Sequence, residues 1–241
     1  MNAPKIDLVK AEQVIREVFE EDKWVKDEFA KHLAGDLTQL SERLAACFAL
    51  LPSLNAAANK AGTHQAALVA AFAFGVVDDV LVSTKLLVSG KLMAAGNVMR
   101  QAIEGIAVSL LCSATDLLII EQKKGKPVLA RYWERLLDDD RRASGHLAVG
   151  QLSWNRTTLG VATDAVERLK LAKTHYNIFS HPNKFGISSR VALGAEGQVY
   201  AGGHFDIEKL EGYRVEVRER AGLCAILPAL IKTQTARLGG W

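Results

Sequence analysis

The amino-acid sequence predicts a mainly α protein, a helical bundle built around a central antiparallel helical hairpin. Two long segments, about 64–88 and 92–112, are apolar on almost every side, as helices buried in a core are. The turn signal Ser89-Gly90 separates them, which favours an antiparallel pair. Only five prolines occur in 241 residues, so long helices can run uninterrupted.

Length and composition predict one helical domain over residues 1–241. Hydrophobic residues make up 49% and charged residues 24%, which argues against wholesale disorder, and a net charge of +3 demands no nucleic-acid partner. Charges lie in mid-span of both apolar segments, so we expect no membrane partner. The N-terminus lacks a signal-peptide core, and three cysteines without CxxC spacing are typical of reduced core residues. These features predict a cytoplasmic protein.

The first 60 residues are interpreted as a helical arm that packs on the core or on a second subunit. Apolar residues recur at helical spacing from Pro4 to about Leu33, and Gly35 predicts the end of that helix. Cap-type residues from Thr38 to Glu42 predict the start of a second helix.

The second half of the chain alternates helices with loops. We predict a loop at KKGKP, a helix over 128–137, a charged turn at DDDRRASGH, and a loop or short helix over 145–156. A helix from about Thr158 stops at His181, because proline disfavours helical geometry in the residue before it. Two runs rich in β-branched or aromatic residues, ISSRVAL and QVYAGGHF, predict a small β-hairpin near 187–205. A last helix follows over 206–238, kinked or restarted at Pro228.

Arg100 and Glu104 are the only charges in the apolar segment 92–112. Four residues apart on a helix, they share a face and would form an ion pair, with the arginine stem reaching solvent. The alternative is a pair that lines a pocket, where the planar Arg100 guanidinium binds an anion. One carboxylate of Asp78-Asp79 would face Arg100 across the hairpin.

Polar residues also cluster where the helix from Thr158 ends, at Tyr176, Ser180, His181 and Asn183. His181 would exchange protons near neutral pH, or it would cap the last helix carbonyls while Ser180 and Asn183 close the turn. Arg141 and His146 have an Arg-x4-His spacing, for which a solvated charged turn is the simpler interpretation. No metal-ligand motif or nucleotide-binding loop is present, so we predict no cofactor and no metal.

The order of these motifs resembles an uncharacterised family of bacterial all-helical proteins, and is more loosely similar to the HEPN superfamily of helical bundles. An apolar helix carries Arg100-x3-Glu104, and a distant helix ends in Tyr176-x3-Ser180-His181-Pro182. The resemblance implies a helical core that brings the two motifs together, covering about residues 64–235. Many HEPN proteins are ribonucleases, toxins or defence components, with a catalytic Arg-x4–6-His motif. This chain departs from that motif at Arg100, which has no histidine in range.

Three functional hypotheses follow. In the first, a polar pocket of Arg100, Glu104, Tyr176, Ser180 and His181 binds an anionic or phosphate-containing ligand, with a link to defence or stress. In the second, the protein is a metal-independent ribonuclease or toxin acting on RNA, with His181 as acid/base and Arg100 stabilising the phosphate. In the third, the protein is structural, and its terminal helices form a homodimer.

Overall fold

The computed structural model describes residues 8–123, 126–194 and 198–240. It is mainly α with one small two-stranded antiparallel sheet, which confirms the predicted fold class. Within the described residues the elements are α1 (Ala11–Phe19), α2 (Lys23–Phe48), α3 (Leu51–Ala61), α4 (His64–Val88), α5 (Leu92–Cys112), β1 (Leu118–Lys123), β2 (Lys126–Ala130), α6 (Tyr132–Leu137), α7 (Gly145–Asn155), α8 (Thr163–Asn177), α9 (Lys184–Ser188) and α10 (Leu210–Gly239).

The central hairpin is formed by α4 and α5, which pack against each other along their length. Gly90 takes a φ of 71° in the turn between them, a conformation that glycine adopts without strain. Around this pair, α10 packs against α2, α3 and α4, while α7 and α8 pack against α5. Among the described helices, α4 alone has the length and hydropathy that a membrane crossing requires.

The N-terminal segment divides differently from the prediction. One helix ends at Phe19 and the next begins at Lys23, because Asp22 takes a left-handed φ of 52° and accepts a 2.6 Å hydrogen bond from Lys91. Gly35 lies inside α2 instead of ending a helix. Packing of α2 on α10 offsets the helix cost of a glycine, about 1 kcal/mol. The predicted start at Pro4 lies outside the described residues.

The β-hairpin lies at 118–130, where the sequence predicted a loop at KKGKP and the start of a helix over 128–137. Two buried side chains of α7 hold β1 in place. Asn155 accepts from the Ile119 N–H at 2.8 Å and donates to its carbonyl at 2.9 Å, and Gln151 donates to the Ile120 carbonyl at 2.8 Å. These amides satisfy backbone groups as a neighbouring strand would. Part of the predicted KKGKP loop, residues 124–125, lies outside the described residues.

The predicted hairpin near 187–205 is reduced to one antiparallel bridge between Val191 and Val199. The first of the two predicted strands begins instead inside the short helix α9. Asn183 caps this helix by accepting from the Gly186 N–H at 2.9 Å. Capping at this point competes with strand formation. Residues 195–197, in the predicted turn, lie outside the described residues.

The segment 145–156, predicted as a loop or a short helix, forms the helix α7. One helix end differs from the prediction, because α8 ends at Asn177, four residues before His181. The last helix, α10, is continuous through Pro228. Because α8 ends early, Ser180 and His181 lie in the connection to α9.

Candidate functional site

The α5 helix presents a polar stripe in which Asn97, Arg100 and Glu104 occupy successive turns of one face. Arg100 Nε donates to Glu104 Oε1 over 3.0 Å, and the two side chains keep 20% and 15% of their surface exposed. The intrahelical ion pair therefore forms, and it is partly open to solvent.

The chain around α8 runs antiparallel to this stripe and supplies partners at both ends. Ser180 Oγ donates to Asn97 Oδ1 at 3.1 Å, and Lys173 Nζ lies 3.9 Å from Glu104 Oε1. Burial lowers the pKa of Lys173, although Glu104 opposes that shift. The structure therefore brings Ser180 to the face that carries Arg100, together with Lys173, which the sequence analysis did not single out.

Tyr176 and His181 lie elsewhere. Tyr176 is buried, its ring packs edge-on against His175, and burial raises the pKa of its hydroxyl. His181 is exposed, and within the described chain its side chain makes no hydrogen bond. Its carbonyl accepts from Asn183 Nδ2 at 3.0 Å, so Asn183 closes this turn. No hydrogen bond or ion pair among the described residues joins either side chain to Arg100 or Glu104.

The remaining candidates are on the surface or half-buried. Arg141 lies in a turn before α7 and His146 in its first turn, and both are exposed. In the described chain, no hydrogen bond or ion pair connects these two residues. Burial and the neighbouring Asp78 raise the pKa of Asp79 to about 6, and neither carboxylate pairs with Arg100 in the described part of the structure.

A second arginine, Arg220 on α10, is completely buried. Its Nη1 donates to Glu216 Oε2 at 2.8 Å, one helical turn earlier. Its Nε and Nη2 donate to Ser83 Oγ of α4 at 3.1 and 2.8 Å, and Ser83 donates to the Ala95 carbonyl of α5 at 2.7 Å. Arg220 thus links α10 to both helices of the central hairpin.

Glu216 extends this network to α8. Its second carboxylate oxygen, Oε1, lies 3.0 Å from His175 Nε2. Burial opposes ionisation of Glu216, but the hydrogen bond from His175 and the charge of Arg220 hold its pKa below the ordinary value. The same hydrogen bond raises the pKa of His175. The series Arg220–Glu216–His175 therefore leads from the core to a half-exposed histidine ring.

That ring borders a cavity of about 380 Å³, here named the α8–α10 cavity. Its walls are mainly apolar and aromatic, and His175, Lys209 and Glu216 are the lining side chains that carry charge near neutral pH. The lining comprises Leu92, His175, Ile178, Phe179, Phe185, Ser188, Ser189, Leu193, Lys209, Gly212, Tyr213, Val215 and Glu216. The Phe179 ring, which forms one wall, packs directly on Gly96 of α5. A Cβ at that position would lie 2.1 Å from the ring, so a larger residue there would displace it.

Lys209 closes one side of the cavity. Its Nζ donates to the carbonyls of Ser188, Ser189 and Val191 at 2.9, 3.2 and 2.6 Å, and it lies 3.8 Å from Asp206. Burial lowers the pKa of Lys209, with Asp206 opposing the shift. When His175 is protonated, the cavity and its surroundings contain three cations (His175, Lys209, Arg220) and three carboxylates (Glu216, Asp206, Glu219). Of these, Glu216 is engaged by both Arg220 and His175.

Four residues of this region were not predicted from the sequence: His175, Glu216, Arg220 and Lys209. One signal was available, since Glu216 and Arg220 have the same four-residue spacing as Arg100 and Glu104. In the described part of the chain, no group of three histidine, cysteine or acidic residues could hold a metal ion. The cysteines Cys47, Cys112 and Cys224 are buried and unpaired.

Together these contacts define a mainly α bundle with a buried charged network beside an apolar cavity. No protein-family model, curated protein or solved structure matches this chain. The resemblance to bacterial helical proteins and to the HEPN superfamily stays a prediction.

Proposed function

We propose that the protein binds a small anionic molecule with an apolar body in the α8–α10 cavity. The observation that carries this proposal is the convergence of His175, Lys209 and Glu216 on a cavity whose other walls are largely apolar. Sites for small molecules commonly combine apolar walls with a few fixed polar groups. The proposal keeps the anionic ligand expected from the sequence and moves it away from the polar stripe of α5.

The charges favour an anion over a cation. Glu216 is already engaged by Arg220 and His175, so its carboxylate has little capacity left for a ligand cation. Protonated His175 keeps its Nδ1–H for a carboxylate or phosphate oxygen, because only its Nε2 is engaged by Glu216. The three N–H groups of Lys209 already donate to backbone carbonyls, so Lys209 would attract the anion by its charge. Phe179, Phe185 and Tyr213 would cover an apolar or aromatic ligand body.

Thermal shift and calorimetry test this proposal with benzoate, octanoate and phenyl phosphate, compared with benzyl alcohol and octanol. We expect the anions to bind and raise the melting temperature more than the matched alcohols do. Anion binding should also weaken as the pH rises through the raised pKa of His175, because the ring then loses its charge.

A matched pair of substitutions locates the site. Gly212 and Gly222 are both exposed on α10, and a Cβ at either would meet open space. Gly212 lines the cavity, so Gly212→Phe should abolish binding, while Gly222→Phe should not change it. If Gly212→Phe still bound the anions and Arg100→Gln did not, the site would be the polar stripe of α5 instead.

Homodimer formation is a second candidate function, favoured by the exposed apolar face of α1. No residue of this helix is buried, and Val14, Ile15, Val18 and Phe19 are 42–77% exposed. A nine-residue helix is marginal without packing, so a second subunit would stabilise it. Light scattering should then show a dimer that Val18→Asp dissociates, whereas the equally exposed Leu171→Asp does not. A monomer at high concentration would remove this candidate.

A further inference from the structure

A second cavity, of about 260 Å³, lies where α5 and α10 end. Its polar lining comprises Ser113, Thr115, Asp116, Thr158 and Arg237. Arg237 follows Glu216 by 21 residues on the same helix, a separation of about 30 Å at 1.5 Å per residue. This cavity is therefore separate from the α8–α10 cavity, and what it binds does not depend on the function proposed above.

Arg237 holds a fixed positive charge at this cavity. Its Nη1 donates to Ser113 Oγ at 2.7 Å and its Nη2 donates to the Leu159 carbonyl at 2.6 Å. Both partners are neutral, and no carboxylate of the described residues lies within ion-pair distance. A guanidinium has five N–H groups, so three remain for a ligand. The two hydrogen bonds orient the planar group before any ligand arrives, which reduces the entropy cost of binding.

Asp116 contributes the opposite charge to the same lining. Within the described chain, no lysine, arginine or histidine lies within ion-pair distance of its carboxylate. Asp116 and Arg237 therefore border one cavity without pairing with each other. A ligand with only a negative charge would be attracted by Arg237 and repelled by Asp116. A ligand with only a positive charge would be attracted by Asp116 and repelled by Arg237.

We infer that this cavity binds a zwitterion, and specifically a free α-amino acid with a small side chain. The ligand carboxylate would accept from the remaining N–H groups of Arg237, and the ligand ammonium would donate to Asp116. The hydroxyls of Thr115 and Thr158 are available for further hydrogen bonds, since neither bonds to another described side chain. Ala114 and Leu159 supply the apolar part of the lining, which suits a short aliphatic side chain.

Isothermal titration calorimetry on the full chain tests this inference with L-alanine, L-serine and L-leucine. The comparison ligands are acetate, L-alaninamide and N-acetyl-L-alanine, which lack the ammonium, the carboxylate and the ammonium charge, respectively. We expect L-alanine and L-serine to bind, L-leucine to bind more weakly because its side chain is larger, and each comparison ligand to bind at least about tenfold more weakly than L-alanine. Equal binding of acetate, or no binding of any amino acid, would overturn the inference.

Two substitutions test which charged side chain binds which end of the ligand. Asp116→Asn removes the partner of the ammonium at an exposed position, so the fold should be unaffected, and affinity for L-alanine should fall about tenfold. Arg237→Gln should cause a similar loss, although it also removes the hydrogen bonds to Ser113 and Leu159. Arg168→Gln, at an exposed position on α8, is the control and should bind like wild type. Unchanged affinity in Asp116→Asn would overturn the inference whatever Arg237→Gln does.

Discussion

Two arginine–glutamate pairs with the same four-residue spacing occupy opposite environments in this protein. Arg100 and Glu104 on α5 form a single hydrogen bond and keep 20% and 15% of their surface exposed. Arg220 on α10 is fully buried and binds Glu216 and Ser83. The sequence drew attention to the first pair, yet the second pair holds three helices together.

The order of the two residues along the helix also differs. A glutamate that precedes its basic partner by four residues, as Glu216 precedes Arg220, has the more favourable orientation on a helix. The residues that neighbouring helices place against each pair matter more than this order. Ser83 of α4 and His175 of α8 complete the hydrogen bonds of the α10 pair, whereas Lys173 adds only a 3.9 Å contact to Glu104. Neighbours from other helices, and not spacing, decide which pair is structural.

The largest effect is expected from breaking the buried pair on one side only. Arg220→Met leaves the Glu216 carboxylate buried without its main partner, which should lower the free energy of unfolding by about 3–5 kcal/mol. Urea denaturation followed by circular dichroism measures this loss. The double variant Arg220→Met/Glu216→Leu should recover much of the stability, because no uncompensated charge remains. If Arg220→Met were as stable as wild type, the buried pair would not have the structural role that distinguishes it from the α5 pair.

A smaller effect is expected at α5. Arg100→Gln should lower the free energy of unfolding by less than about 1 kcal/mol, because Glu104 stays partly hydrated and near Lys173. The loss should shrink further at high salt, which screens a partly exposed pair. Urea titrations at low and high ionic strength check both statements. A loss as large as that of Arg220→Met would show that the two pairs are energetically equivalent.

The smallest effect concerns the protonation of His175. Its pKa in the folded protein is raised above the ordinary value of 6.5 by the hydrogen bond to Glu216. The stabilisation from this pairing is therefore complete below pH 6.5 and is lost as the pH rises through the folded pKa. NMR titration of the ring should give a raised pKa in wild type and a lower one in Glu216→Gln. An identical pKa in both proteins would argue against the Glu216–His175 contact.

Much of the fold followed from hydropathy. The apolar segments and the Ser89-Gly90 turn predicted the central hairpin, because helices without a polar face must be buried. The position of the β-hairpin did not follow, since β1 depends on Asn155 and Gln151, which lie more than thirty residues further along the chain. Local β-propensity was higher near 191–199, but α9 is capped just before it, and the described residues of this stretch form one bridge.

The candidate site was harder to predict for a related reason. Arg220 lies in a charge-rich stretch of α10, RVEVRERAG, which is typical of a solvated face. Its burial depends on Ser83 of α4, and that of its partner Glu216 on His175 of α8, and both neighbours are distant in sequence. At α5 the four-residue spacing alone predicted the ion pair, because Arg100 and Glu104 lie on one helix and need no distant partner. The location of His175 beside Tyr176 was the nearest indication of the site.

The segment 198–206 crosses the turn of the central hairpin at two glycines. A Cβ on Gly90 would lie 2.2 Å from the His204 carbonyl oxygen, and one on Gly203 would lie 1.7 Å from the Ser89 carbonyl oxygen. His204 in turn lies 3.4 Å from Lys209 at the α8–α10 cavity. A methyl group at either glycine would lift the crossing segment and displace Lys209. The absence of a side chain at Gly90 and Gly203 therefore sets how closely this segment crosses the hairpin turn, and with it where Lys209 stands at the α8–α10 cavity.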